Sequence, residues 1–349
     1  MTPALRLGFG SLLSLLAWGP LPAGAGETAP PESAAIALLP RPGNSGFANF
    51  VRVSVGGGAP GAVLLDTGST GLRIRADAVG PDVQLTDIPL TYSYSSGNVL
   101  EGVLGYAVVS FPDSTPAVAT PHRIAVQVVQ KVTCKTDMPD CPGWKAPEMG
   151  VMGVAYNPVE VFNPLAQLGG TLANGFIVVA DDFADPNVTP HLVVGLTPQN
   201  STGFSTSPFA PADGAQPAGL KAWNTKSIPT CFTVDSGPPG CFATVFDTGA
   251  GSGSFETPDL DPSELHTRIP AGHRITTSVA GAMSLTVESG RRPWINRYRY
   301  APPHGGVKGF NSGGLVFRHY KVLFDAVNGR IGFSPALATP AVQPKTTAE

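Results

Sequence analysis

Apolar and polar residues alternate along much of this chain, and they do so in short runs. FANFVRVSVGG, from Phe47 to Gly57, places an apolar side chain at nearly every second position, the period of a half-buried strand. GAVLLDTG (61–68) follows a Gly-Pro turn and ends an apolar run on an acid. PLTYSYSSGNVLEGVLGYAVVSF (89–111) reads as a hairpin, two alternating runs around Ser-Ser-Gly-Asn. HRIAVQVVQKV (122–132), the glycine-punctuated GVMGVAY (150–156), NGFIVVADDF (174–183) and HLVVGLT (191–197) extend the series, with NPVEVFNPLAQL (157–168) expected as a short helix. The second half runs in a loosely similar order. Strand-like residues lead into ATVFDTG (243–249), HRITTSVAGAMSLTVES (273–289) gives two strands, and GLVFRHYKVLFDAVNGRIGF (314–333) gives two more around Asn328-Gly329. Many short strands joined by turns, in a chain with 42 Gly and 36 Pro, predict an all-β fold.

Length and charge narrow the picture. A chain of 349 residues, 42% of them hydrophobic, can bury a sizeable core as one bilobal domain or two moderate ones. Only 13% are charged, against about a quarter in an average domain, and the net charge of −3 argues against a nucleic-acid partner. Leu7–Trp18 is a short apolar run behind Arg6, followed by the small residues Ala23-Gly24-Ala25. This reads as a secretory signal over 1–25; the run is too short and too broken by glycine to serve as a stable membrane anchor. Residues 26–45 read as an N-terminal arm, and 336–349, rich in Pro, Ala and Thr, as a disordered tail.

The four cysteines suit an oxidising compartment, secreted or periplasmic. Three pairings are possible. The local one, Cys134–Cys141 with Cys231–Cys241, is favoured because each pair brackets a turn-rich loop. The spacings do not suit a metal site, and no histidine stands beside them.

The chemistry is concentrated in two Asp-Thr-Gly triplets. Asp66 and Asp247 each end an apolar run, and a buried carboxylate costs several kcal/mol unless it is paired, hydrogen-bonded or protonated. The two lie 181 residues apart, half the chain, as two related lobes would place them. Carboxylates that share a site cannot both ionise cheaply. One then takes a proton from water while the other donates to a carbonyl oxygen, which hydrolyses an amide without metal or organic cofactor. Gly68 and Gly249 allow backbone N–H groups close to the carboxylates, and the Thr67 and Thr248 hydroxyls can brace the turns. Asp235, in TVDSG, is a decoy: it lies between Cys231 and Cys241 and reads as a hairpin tip. The six histidines form no HExxH pattern, and no GxSxG, Rossmann or P-loop fingerprint is present.

Over roughly residues 46–335 the chain resembles the pepsin-like aspartic peptidases. LLDTGSTGLRI resembles their first catalytic strand and loop, and YSSGNVLEGVLGY their flap. GVMGVAY resembles the segment that crosses behind the first Asp loop, and HLVVGLTPQNSTGF the passage between lobes. CFTVDSGPPGCFATVFDTGA resembles the disulfide hairpin before the second Asp, and FRHYKVLFDAVNGRIGF the C-terminal hairpin. The resemblance implies a bilobal fold with a central cleft, its first lobe over 46–197 and its second over 198–335. It implies a monomeric aspartic endopeptidase acting on a polypeptide substrate. Asp66 and Asp247 would be catalytic, Thr67, Gly68, Ser69, Thr248 and Gly249 supporting, and Tyr94 and Gly97 part of a mobile flap, with Tyr92 the fallback tyrosine.

Four departures stand out. Arg73 occupies the position where the family usually carries a Trp beside the flap tyrosine. The second crossing segment reads FNSGG, with Asn311 and Ser312 where apolar residues are expected. Ala250 replaces the counterpart of Ser69, so Asp247 lacks a hydroxyl donor, which predicts a higher pH optimum than pepsin's. No lysine precedes Lys131, so the usual self-inhibiting propeptide is not expected. A catalytically impaired binding or inhibitor protein on the same fold is the alternative reading. RRPWINRYRY (291–300) interleaves Arg with aromatics and reads as a solvated strand face or loop that can also line the cleft.

Overall fold

A computed structural model of the chain describes residues 31–42, 47–144, 147–180, 189–214, 217, 219–256, 268–290, 298–301 and 309–335. The proposed signal, the tail and Arg291–Arg297 of the arginine-aromatic run lie outside these. Side chains of its strand Tyr298–Ala301 also lie outside.

The described chain is almost entirely β. In the first half the strands order as Ala48–Val55, Gly61–Asp66, Gly150–Val154, Thr70–Arg75, Ile124–Cys134, Asn98–Ala107 and Gln84–Ser93. The strand that ends on Asp66 therefore runs beside Gly150–Val154, parallel and in register Asp66 to Gly153. That crossing strand is in turn antiparallel to Thr70–Arg75, which follows the Asp loop. Its five residues are all buried, which suits a fully covered central strand whose sequence is continuously apolar.

The second half repeats the arrangement. Gly240–Val245 leads to Asp247 and lies parallel to Gly309–Asn311, in register Val245 to Asn311. Gly309–Asn311 is antiparallel to Gly253–Glu256, which follows the second loop. FNSGG thus takes the place that GVMGV takes in the first half.

A third sheet joins material from both halves: Ser205–Pro208, Arg330–Pro335, Tyr320–Asp325, Gly175–Val179, His191–Val194, Ala34–Ala37 and Ser114–Thr115. Phe176 pairs with Phe324 across it, and their rings stack at 4.8 Å. Tyr156 donates its hydroxyl hydrogen to the Phe324 carbonyl, so its one polar group is satisfied within the core.

Two local expectations are corrected. The stretch read as an arm contributes the strand Ala34–Ala37, paired with His191–Val194; Ala34, Ile36 and Leu38 alternate into the core. The helix expected over 157–168 is only a 3₁₀ turn at Leu165–Gln167. Pro164 biases the preceding residue away from helix, and Asn163 uses its side chain on local backbone, donating to Val154 O and accepting from Leu165 N–H.

Candidate active site

The two Asp-Thr-Gly turns meet through their threonines. Thr67 N–H donates to Thr248 Oγ1 at 3.1 Å, and Thr248 N–H donates to Thr67 Oγ1 at 3.0 Å. Each hydroxyl then donates across to the opposite strand, Thr67 Oγ1 to Phe246 O at 2.7 Å and Thr248 Oγ1 to Leu65 O at 2.6 Å. Both threonines are buried, so every group in this lock needs its partner. Asn49 adds another tie, donating from Nδ2 to Thr248 O at 2.7 Å.

The lock sets Asp66 and Asp247 against one another. A Cβ on Gly68 would stand 2.5 Å from Asp247 Cγ, and one on Gly249 would stand 2.7 Å from Asp66 Oδ1. Only glycine leaves room for the opposing carboxyl at either place.

The donors around each acid differ. Asp66 accepts from Gly68 N–H at 2.8 Å and from Ser69 Oγ at 2.5 Å. Asp247 accepts from Gly249 N–H at 2.7 Å, from Ala250 N–H at 3.2 Å and from Asn311 Nδ2 at 2.7 Å. The hydroxyl absent at Ala250 is thus replaced by an amide from the crossing segment. Ser312 Oγ also accepts from Asp247 N–H at 3.3 Å. Asp247 is nonetheless pushed up to about 7, first by burial and then by the charge of Asp66. The Asn311 amide opposes the rise, a hydrogen bond with the Asp66 carboxyl adds to it, and Gly249 N–H opposes it. One buried acid that stays protonated beside another is the arrangement acid–base hydrolysis needs.

Among solved structures, the aspartic proteinase from Irpex lacteus is similar, with a TM-score of 0.59 over 87% of this chain and 97% of that one, at 13% identity. The fold is that of a pepsin-like aspartic proteinase. No family model and no curated relative matches the chain.

The hairpin of strands Gln84–Ser93 and Asn98–Ala107, the stretch expected to form a flap, carries Tyr92 and Tyr94. Tyr92 and Tyr94 meet edge to face at 4.9 Å. The Arg73 guanidinium lies over the Tyr92 ring, 3.3 Å from its centroid, and 5.9 Å from that of Tyr94. Arg73 Nη1 also donates to Thr70 O at 2.8 Å and Gly71 O at 3.0 Å. At the position expected for an indole, the chain sets a cation on the face of an aromatic ring of this hairpin. Burial raises both phenols and the Arg73 charge opposes it. The charges of Asp66 and Asp247 both act on Tyr92, so the tyrosine read as the fallback lies in the field of both acids. Among the described residues, the buried side-chain polar atoms without a partner are Thr70 Oγ1, Arg73 Nε and Tyr94 OH. All three belong to this corner.

The remaining candidates also find their places. Both cysteine pairings form as expected. Asp235 lies off the site, accepting from Arg274 N–H at 2.8 Å and facing His273 Nδ1 at 2.8 Å. Asn311 is the contact that sequence reading did not assign. Its signal was visible as a polar residue at an apolar position of a crossing strand.

Proposed function

We propose that this chain is an exported aspartic endopeptidase that hydrolyses peptide bonds through a water shared by Asp66 and Asp247. The observation that carries the reading is the threonine lock, which joins two Asp-Thr-Gly turns so that each glycine adjoins the other turn's carboxyl. A protein that only bound peptides would have no use for two buried acids held in such a costly arrangement.

The unequal surroundings support one division of roles. Asp247, protonated up to about pH 7, is the acid, and Asp66, held by Ser69 and Gly68 N–H, is the base. Asp66 takes a proton from the water as its oxygen bonds to the peptide carbonyl carbon, and Asp247 gives its proton to the carbonyl oxygen. The tetrahedral diol then collapses: the C–N bond breaks, the nitrogen leaves with the proton from Asp66, and Asp247 recovers its own. The substrate binds extended along the cleft, beneath the hairpin that carries Tyr92 and Tyr94. Export agrees with the two disulfides.

The test is cleavage of an unfolded mixed-peptide substrate between pH 3 and pH 8 by residues 26–349 with disulfides formed, beside Asp66→Asn and Asp247→Asn. Cleavage lost in both variants is expected. A folded native chain that cleaves nothing at any pH would replace the peptidase reading with a peptide-binding one.

A further inference from the structure

The tip of the flap hairpin does not stand free. It is the turn Tyr94–Gly97, closed by Gly97 N–H donating to Tyr94 O at 3.1 Å and Tyr94 N–H donating to Asn98 O at 2.9 Å. The next element in space is the loop closed by Cys134–Cys141. Cys134 ends the strand that pairs with the flap's second strand, in register with Asn98. From there the loop folds onto the turn. Lys135 N–H donates to Gly97 O at 2.8 Å, and Gly143 N–H, just past the disulfide, donates to Asn98 Oδ1 at 3.0 Å. Asn98 and Gly97 are both buried by this contact.

The fit depends on glycine. Gly97 has φ +94°, and a Cβ there would stand 3.0 Å from Met138 Cβ and 3.1 Å from Cys141 Cβ. The loop itself is tightened by Met138 N–H donating to Lys135 O at 3.0 Å. The disulfide fixes the two ends of an eight-residue loop whose backbone and side chains seat the turn, so the cross-link acts on the flap through Lys135, Met138 and Cys141.

We infer that the Cys134–Cys141 loop is a brace for the flap, a positioning element that holds the Tyr94–Gly97 turn over the cleft. The assignment of the hairpin as a substrate-covering flap rests on the peptidase reading; the brace itself does not. The flap in this chain works from a seated position. Residues 134–141 set where Tyr92 and Tyr94 stand relative to the two acids.

Amide hydrogen exchange tests the brace without reference to activity. In Cys134→Ser/Cys141→Ser, exchange at Gly97 and Lys135 is expected to accelerate by about tenfold or more, as local opening loses its cost. Exchange at Val178, in the joint sheet, stays at its native rate. Cys231→Ser/Cys241→Ser, which opens the other disulfide, leaves Gly97 and Lys135 unchanged. Gly97→Ala keeps both disulfides and displaces the turn sterically, so it accelerates Lys135 as well and covers the case in which the cysteine variant does not fold. With a peptide substrate, the loss in the brace variants falls on KM, by about fivefold or more, while kcat moves less.

Native exchange at Lys135 and Gly97 in both brace variants would overturn the inference. Acceleration that spreads to Val178 would also overturn it, because the disulfide would then be a general staple. Accelerated exchange with an unchanged KM would overturn the positioning role. Local acceleration in a chain whose native form cleaves no peptide would leave the brace standing and remove the peptidase reading instead.

Discussion

Asn311 Nδ2 donates to Asp247 Oδ2 at 2.7 Å, from a crossing strand that in the first half of the chain is wholly apolar. The same side chain accepts from Gly313 N–H at 2.8 Å. One residue therefore shapes the turn behind the second acid and also stabilises that acid's charged form. Because the amide opposes the rise of Asp247, Asn311→Leu is expected to raise it further. In a dyad that works with one proton, activity is lost at high pH when the protonated acid ionises. The high-pH limb of kcat/KM should then move upward, by about half to one pH unit for one hydrogen bond of roughly 1 kcal/mol. A limb that stays in place or moves down would refute the assignment of Asp247 as the acid.

Stability should carry the same signature. Asp247 ionises near 3.8 in an unfolded chain and at about 7 in the folded one. Between these values the folded state binds more protons than the unfolded state, so its stability falls as pH rises from about 4 to about 7. Asp247→Asn removes that dependence. Compared with the native chain, the variant should gain stability at pH 7.5 relative to its standing at pH 3.5, by up to a few kcal/mol. Thermal unfolding of the two proteins across this range measures it. A Tm difference that is flat with pH would show that Asp247 is not the group whose proton the fold retains.

How much of this was legible in the sequence follows from where each signal resides. The strands and both acids were readable because period-2 alternation and an apolar run ending on Asp-Thr-Gly are local patterns. The Ala34–Ala37 strand carries no such signal: all four of its residues are apolar, it is short and small-sided, and only its burial alternates. Pro164 was visible within the expected helix, yet the competing bonds of Asn163 to Val154 and Leu165 require knowing how the segment folds back. Asn311 was noticed as a misfit. Its contact with Asp247 spans 64 residues and follows only from the parallel register of Gly309–Asn311 with Gly240–Val245. The contact of the Tyr94–Gly97 turn with the Cys134–Cys141 loop was hidden for the same reason: no local spacing tells that Lys135 meets Gly97.

The threonine lock predicts strong coupling. Thr67→Val and Thr248→Val each remove one hydroxyl and leave backbone groups of the opposite strand unpaired in a buried place. Each change should cost about 1–3 kcal/mol. The double variant should cost less than the sum, because losing one hydroxyl loosens the contact between the turns on which the other hydroxyl's two bonds depend. Denaturant unfolding of the four proteins measures the coupling, and additivity within about 0.5 kcal/mol would mean that the two turns are held by other contacts.

Arg73 yields the prediction in which stability and activity separate. Its side chain is 3% exposed, and no carboxylate lies within ion-pair distance among the described residues. A buried cation of this kind burdens the fold, and replacing it with an apolar side chain of similar length removes a desolvated charge. Arg73→Met is therefore expected to leave Tm unchanged or raise it. The same substitution takes the guanidinium away from the face of Tyr92, so peptide turnover should fall as the tyrosines lose their support. Arg73→Lys keeps the charge but not the planar stack or the paired donation to Thr70 O and Gly71 O; it should lose both stability and activity. Thermal unfolding beside kcat and KM for the two variants separates the cases. A methionine variant that is strongly destabilised would show that Arg73 is a structural strut first, and one that keeps full activity would show that the stacked guanidinium does nothing for the flap.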